Sequence, residues 1–276
     1  MAVLLAVSSA LVVGTGDFVG GLAGRKGRVM AVVVFGQATG VLATVAFAPF
    51  FGGTLDGPTL FWGALAGIGG GLGIAAMYAG FARSSIAVVS PIAAVGTAAW
   101  PVVWDVLNGE IPGWVASLGV GLGLIAIWVV SGGDSEGAHD VRAGVRYGVL
   151  AGLGLGTLFI LLSFSSDEAG IWALLPARST GAVVTAAVAV ASAVPLVPGR
   201  DAIRPAIGAG VLTVLGNGFF ILATTRGSLA VVSVVTAMFP AATVLWARVI
   251  LGELLSVRRK AGLALALLAV GLVAAG

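Results

Sequence analysis

The chain has 276 residues, of which 59% are hydrophobic and 9% charged, and its formal net charge is +3. A soluble domain carries about 25% charged residues, so this composition excludes a water-soluble globular protein. The chain has no cysteine and one histidine, His139, which excludes disulfides, iron–sulfur clusters and zinc sites. We therefore expect a multi-pass membrane protein that uses no cofactor and binds no nucleic acid.

Apolar runs of about 20 residues, long enough to cross a bilayer as helices, follow one another along the chain. Their continuous apolarity excludes a β-barrel, whose strands alternate between apolar and polar residues. The composition and these runs predict an all-α integral membrane protein with ten transmembrane helices. The predicted spans are residues 2–22, 30–50, 59–81, 86–107, 113–131, 144–165, 170–194, 205–225, 229–251 and 257–275.

An internal repeat divides the ten spans into two sets of five. At an offset of 143 residues, residues 72–130 match the second half of the chain at 19 of 59 positions. Composition alone should produce matches at roughly a tenth of positions. Because five is an odd number, the second set enters the bilayer from the opposite side, as in many secondary transporters. We predict two inverted five-helix units, residues 1–135 and 136–276, with a substrate site between them; a duplication that only builds a stable bundle is the alternative.

The basic residues are concentrated on one face of the predicted bundle. Twelve of the 14 lysines and arginines lie in or beside the connections between spans 1–2, 3–4, 5–6, 7–8 and 9–10. We call this the basic face and the opposite one the acidic face, because Asp56, Glu110, Asp167 and Glu168 lie there. The positive-inside rule places the basic face in the cytoplasm and both termini outside.

Four short motifs resemble those of a known family. They are Gly16-Asp17-Phe18, Pro176-Ala177-Arg178 and the turns Gly109-Glu110 and Gly252-Glu253, each turn preceding a glycine-bearing helix. With them, the whole chain resembles the EamA family of the drug/metabolite transporter superfamily. The resemblance implies ten helices in two tandem repeats, and transport of small metabolites such as amino acids without ATP hydrolysis. Many such relatives are described with cytoplasmic termini, in contrast to the charge distribution here, so both orientations stay open.

Asp17 is the first candidate for a transport role. A charge within a span costs about 2.5–3.5 kcal/mol on insertion scales, which makes such a residue a functional candidate. Asp17 would take up and release a proton, or bind a substrate ammonium group. Alternatively it caps a helix segment near cytoplasmic water, about 7 Å from the predicted end of the span.

Arg178 lies roughly 12 Å into the seventh span and would clamp a substrate carboxylate with paired hydrogen bonds. The alternative is that its guanidinium reaches the interface or satisfies carbonyls at a helix end. Gln37 occupies a comparable depth in the second span. We expect it to make a polar contact between helices, or to be the pseudo-symmetric counterpart of Arg178.

Three further residues complete the predicted substrate site. The resemblance implies that Tyr78 and Asn217, in spans three and eight, line the cavity. Trp100 lies deep in span four and would add an aromatic wall, or would instead anchor its helix at the interface as we expect for Trp62, Trp114 and Trp246. Glu110 and Glu253 are expected to cap the first N–H groups of the helix that follows each turn.

These observations favour a secondary transporter, exporter or exchanger, that works by alternating access around a midplane cavity, with proton coupling through Asp17 as an additional hypothesis. The expected partners are a small-molecule substrate and the lipid of the cell membrane, and the chain is a monomer or a homodimer. A membrane-embedded enzyme is the alternative. It would need convergent acid/base or metal-binding groups, whereas Asp134, Glu136, His139 and Asp140 share one glycine-rich linker. A non-transporting structural membrane protein is the remaining possibility.

Overall fold

The computed structural model describes residues 1–109, 111–131, 140–166, 168–227, 229–253 and 255–276. Within these ranges the fold is all-helical, as the apolar runs predict. A 3-10 helix, Gly170–Ala173, leads directly into α7. The helices are α1 (Ala2–Lys26), α2 (Val29–Phe51), α3 (Gly57–Arg83), α4 (Ile86–Leu107), α5 (Trp114–Ser131), α6 (Val141–Leu162), α7 (Leu174–Ala191), α8 (Arg200–Thr224), α9 (Leu229–Thr236), α10 (Phe239–Leu251) and α11 (Val257–Ala275).

Each predicted span coincides with a helix, and the ninth consists of the two segments α9 and α10. Among the described residues, eight helical stretches are long and apolar enough to cross a membrane. The remaining two spans are α5, whose apolar stretch is shorter, and α11, which has three basic residues directly after its first residue, Val257. The break before α10 falls where Pro240, at the start of that helix, has no N–H to donate. The chain is therefore a helical, multi-pass membrane protein.

Several helices extend beyond the apolar runs that predict them. α1 continues to Lys26 instead of ending at residue 22, and α8 begins at Arg200 instead of residue 205. Arginine and lysine are good helix formers, and Arg25 and Lys26 at the end of α1 are also favoured by the helix dipole. The ends of the apolar runs therefore underestimate the lengths of these helices.

The helices of the two halves are interleaved rather than packed as separate bundles. α1 packs on α8 and α3 on α6, while α2 packs on α7 and α5 on α11. Exchanging the first five spans with the second five converts the α1–α8 pair into the α6–α3 pair and leaves the α2–α7 and α5–α11 pairs unchanged. This is the packing that two inverted repeats produce about a pseudo-two-fold axis. The unit limits at 135/136 stay a prediction, because they fall outside the described residues.

The packing also departs from this symmetry. In the first half, α1, α2 and α3 contact one another, and α1 and α3 meet near their ends at the basic face. Among the described residues, α6, α7 and α8 make no comparably extensive contacts with one another. The two faces of the bundle therefore differ: α1 and α3 meet at the basic face, whereas α6 and α8 make no comparably extensive contact at the acidic face among the described residues.

Candidate functional site

A cavity of about 170 Å³ lies between the two halves. It reaches from Asp17 and Met77, in the middle of the bundle, to Leu162 and Leu174, which lie at the acidic-face ends of α6 and α7. Most of its wall is apolar, with contributions from α1, α3, α6 and α10. The polar side chains that line it are Asp17, Gln37, Thr97, Arg178, Thr213 and Asn217.

Arg178 is buried in the wall of this cavity, and its side chain is 8% exposed. Its Nη1 atom donates a hydrogen bond of 3.4 Å to Oε1 of Gln37, so Gln37 makes the polar contact between helices that we expected. The Nε atom of Arg178 is buried and has no hydrogen-bond partner among the described residues. The guanidinium therefore does not reach the interface, and apart from the bond to Gln37 it has no hydrogen-bond partner in the part of the chain that the structure describes.

The absence of a side chain at Gly40 makes room for this guanidinium. A Cβ atom at Gly40 of α2 would lie 2.7 Å from Nη1 and 2.9 Å from Cδ of Arg178. The backbone of α2 therefore packs directly against the arginine and restricts the positions that its side chain can occupy.

Asp17 lies within the unbroken helix α1 and lines the same cavity. It does not cap a helix segment, and because α1 continues to Lys26 it is about 14 Å from the helix end, twice the depth expected from the sequence. Its carboxylate has no hydrogen bond within the described ranges, and it interacts electrostatically with Arg178. The cavity thus presents an acidic and a basic group on helices from different halves.

Tyr78 and Asn217 occupy different places relative to the cavity. Asn217 lines it, as predicted. Tyr78 is 6% exposed and packs against Gly20 of α1 on the basic-face side, where a Cβ atom on Gly20 would clash with its hydroxyl. It lines a separate void of about 20 Å³ that also touches Gln37 and Arg178, so it lies beneath the main cavity rather than in its wall.

Trp100 does not form the aromatic wall that we expected. Its indole packs on Gly156 of α6, and its Nε1 atom donates a hydrogen bond of 3.0 Å to the hydroxyl of Thr157. Trp246 makes the related contact in the other half, where its Nε1 atom donates to the hydroxyl of Thr15 at 2.9 Å. Both indoles therefore join helices of different halves, and Trp246 is not a free interfacial anchor.

A group of polar contacts lies between the cavity and the basic face. Nη2 of Arg25, near the end of α1, lies 2.7 Å from Oε1 of Glu253, and its Nε atom donates to the carbonyl of Phe81 at 2.7 Å. The hydroxyl of Ser85 donates to Oε2 of Glu253 at 2.7 Å. We call Arg25, Ser85 and Glu253 the basic-face latch, because it joins α1 and α4 of the first half to the loop after α10.

The prediction that Glu253 caps the following helix is wrong. Its carboxylate accepts weaker bonds from the N–H groups of Ile86 and Ala87 at the start of α4, while the hydroxyl of Ser256 caps α11. Burial raises the pKa of Glu253, but the hydrogen bonds from Ser85 and Arg25 outweigh it and hold that pKa below its ordinary value. The corresponding prediction for Glu110 lies outside the described residues.

Residues 142–275 match the model of the EamA-like transporter family. The match lies in the second half of the chain and confirms the resemblance there, where the motifs Pro176-Ala177-Arg178 and Gly252-Glu253 lie. Within residues 142–275 the chain is therefore similar to the EamA-like transporter family, a family of the drug/metabolite transporter superfamily. No curated protein matches it.

Proposed function

We propose that this protein is a secondary active transporter that carries small zwitterionic metabolites such as amino acids, by alternating access around the cavity between its two halves. The observation that carries the proposal is Arg178, a buried arginine that lines the cavity together with Asp17 and whose Nε atom has no hydrogen-bond partner among the described residues. Asp17 interacts electrostatically with Arg178 but makes no hydrogen bond to it among the described residues. A substrate carboxylate would supply hydrogen-bond acceptors to this buried guanidinium.

The arrangement of charges favours a zwitterion over a simple anion. Arg178 can bind a carboxylate with two parallel hydrogen bonds, while Asp17 and Asn217 can accept hydrogen bonds from an ammonium group. The remaining wall is largely apolar and suits an apolar side chain. Release of the ammonium group would leave Asp17 free to take up a proton, which links the same residue to proton coupling.

The basic-face latch supports alternating access. The cavity extends toward the acidic face, whereas the contacts of Arg25 and Glu253 lie between it and the basic face. Opening toward the basic face requires these contacts to separate, while the second half closes over the acidic face. In the orientation that places the basic face on the cytoplasmic side of the cell membrane, the cavity of this structure is directed toward the outside of the cell.

Counterflow into proteoliposomes tests the proposal. Vesicles loaded with unlabelled leucine, alanine or lysine should accumulate the same labelled amino acid, with leucine favoured by the apolar wall. Arg178→Gln should abolish exchange, whereas Arg142→Gln, which removes an exposed arginine, should preserve it. Asp17→Asn should retain exchange of substrate against substrate but lose uptake driven by a pH gradient. Failure of every zwitterion to exchange, with folded protein in the membrane, would refute the proposed substrate class.

A further inference from the structure

A second concave site lies on the basic face, outside the substrate cavity. It is a cleft of about 830 Å³ between the end of α1 and the beginning of α8, lined by Val19, Leu22, Lys26, Arg200, Asp201, Arg204 and Pro205. We call it the α1–α8 cleft. We propose that it binds the headgroup of an anionic phospholipid from the surrounding bilayer.

The charges of the cleft are arranged for an anion. Lys26, Arg200 and Arg204 come from two helices and converge on one concavity, with Asp201 as the single acid of its lining. Among the described residues, none of the three cations has a hydrogen bond or an ion pair with another protein group. By contrast, Arg25 pairs with Glu253, and Arg258 stacks on Trp128 and donates to a carbonyl.

The apolar part of the cleft lies at the depth of a lipid chain. Leu22 and Val19 precede Lys26 by four and seven residues, which places them about 6 and about 10 Å further into the bilayer along α1. A phosphate bound by the cations would therefore have apolar walls beneath it for the first methylenes of its acyl chains. A soluble anion would use the charges and leave these walls uncovered, whereas a phospholipid would use both.

Basic pockets between transmembrane helices bind anionic lipid headgroups in other membrane proteins, through the same combination of charge and adjacent hydrocarbon. In this protein such a lipid would bridge α1 of the first half and α8 of the second. Lys26 follows Arg25 directly, so the bound headgroup would sit beside the basic-face latch.

Native mass spectrometry of the delipidated full-length protein tests the site, with phosphatidylglycerol and phosphatidylcholine of identical acyl chains as probes. We expect wild-type protein to retain phosphatidylglycerol in preference to phosphatidylcholine. The triple variant Lys26→Gln/Arg200→Gln/Arg204→Gln should lose this preference. The matched control Arg142→Gln/Arg146→Gln/Lys260→Gln removes three exposed charges outside the cleft and should keep it.

Two results would overturn the proposal. One is an equal loss of phosphatidylglycerol in the cleft and control variants, which would assign binding to the general charge of the face. The other is equal stabilisation of the wild-type protein by inorganic phosphate and by phosphatidylglycerol in a thermal-shift assay, which would assign the cleft to a soluble anion. If the triple variant does not fold, Lys26→Gln alone should weaken retention, and unchanged retention would equally contradict the site.

Discussion

Arg25 and Glu253 are 228 residues apart in the chain, yet their side chains meet at 2.7 Å and join the two halves of the protein. The pair lies at the basic face, directly beyond the packed ends of α1 and α3. In the proposed transport cycle, this pair would have to separate before the cavity could open toward the basic face.

A double-mutant cycle should detect this pair. Because Arg25 and Glu253 are partly buried, with 22% and 8% of their side chains exposed, we expect Arg25→Gln and Glu253→Gln to show an interaction energy of about 0.5–3 kcal/mol. Thermal or denaturant unfolding in detergent would measure it. The control cycle combines Lys26→Gln with Glu253→Gln. The changes that these two substitutions cause in the free energy of unfolding should add within about 0.5 kcal/mol. Equal coupling in both cycles would show that the effect is not specific to the contact.

The contribution of the basic-face latch to the stability of the protein should decrease in acid. The pKa of Glu253 is held below its ordinary value of 4.5, so the carboxylate stabilises the folded state above that value and loses this contribution as the pH falls through the folded-state pKa. The stability advantage of wild type over Glu253→Gln should be constant from about pH 7 to about pH 5 and shrink at lower pH. Melting temperatures across this range measure it. An advantage that grows with acid would contradict the assigned direction.

Arg178 should dominate ligand affinity. Removing a hydrogen bond to a charged group costs about 1.5–3 kcal/mol, so Arg178→Gln should weaken binding of an amino acid by about tenfold to about 150-fold. Arg178→Lys should recover only part of this loss, because a lysine cannot make the paired contact. Ligand-induced thermal stabilisation provides the measurement, and Arg226→Gln, an exposed arginine of the same half, provides the control. Unchanged affinity in Arg178→Gln would remove Arg178 from the site.

Two glycine substitutions should have separable effects. A Cβ at Gly40 would meet the flexible end of Arg178, whereas a Cβ at Gly73 would lie 2.8 Å from the backbone nitrogen of Leu155 in α6. We therefore expect Gly40→Ala to change ligand affinity with little loss of stability. Gly73→Ala should destabilise the fold by about 1–3 kcal/mol, because a helix backbone must move. Thermal unfolding with and without ligand distinguishes the two, and the reverse pattern would contradict the packing described.

The sequence was sufficient to predict the helices and two charged residues that line the cavity, Asp17 and Arg178. Apolar length determines where a chain crosses a bilayer, and the cost of burying a charge singles out Asp17 and Arg178. The rest depends on packing that no local pattern encodes. An indole deep in a span can either line a cavity or join two helices, and the sequence does not distinguish the two. We predicted that Trp100 lines the cavity, whereas in the structure its indole donates a hydrogen bond to Thr157.

Glu253 is a second residue whose partners could not be predicted from the local sequence, because they lie far away in the chain. Its Gly-Glu turn indicated a local cap, and only the folded arrangement of the two halves places the start of α4 beside it. Arg25 carried no sign of a partner in the sequence, because a basic residue at a helix end is also what membrane topology requires.

Cysteine accessibility tests alternating access most directly, since the natural chain contains no cysteine and a single one can be introduced without background. In liposomes, Thr213→Cys, in the cavity wall, should react with a membrane-impermeant thiol reagent from the acidic face and be protected from the basic face. Adding Glu253→Gln should make it reactive from the basic face as well, whereas adding Glu168→Gln should not. Equal reaction from both faces in the otherwise unaltered protein would indicate an open pore and contradict the carrier.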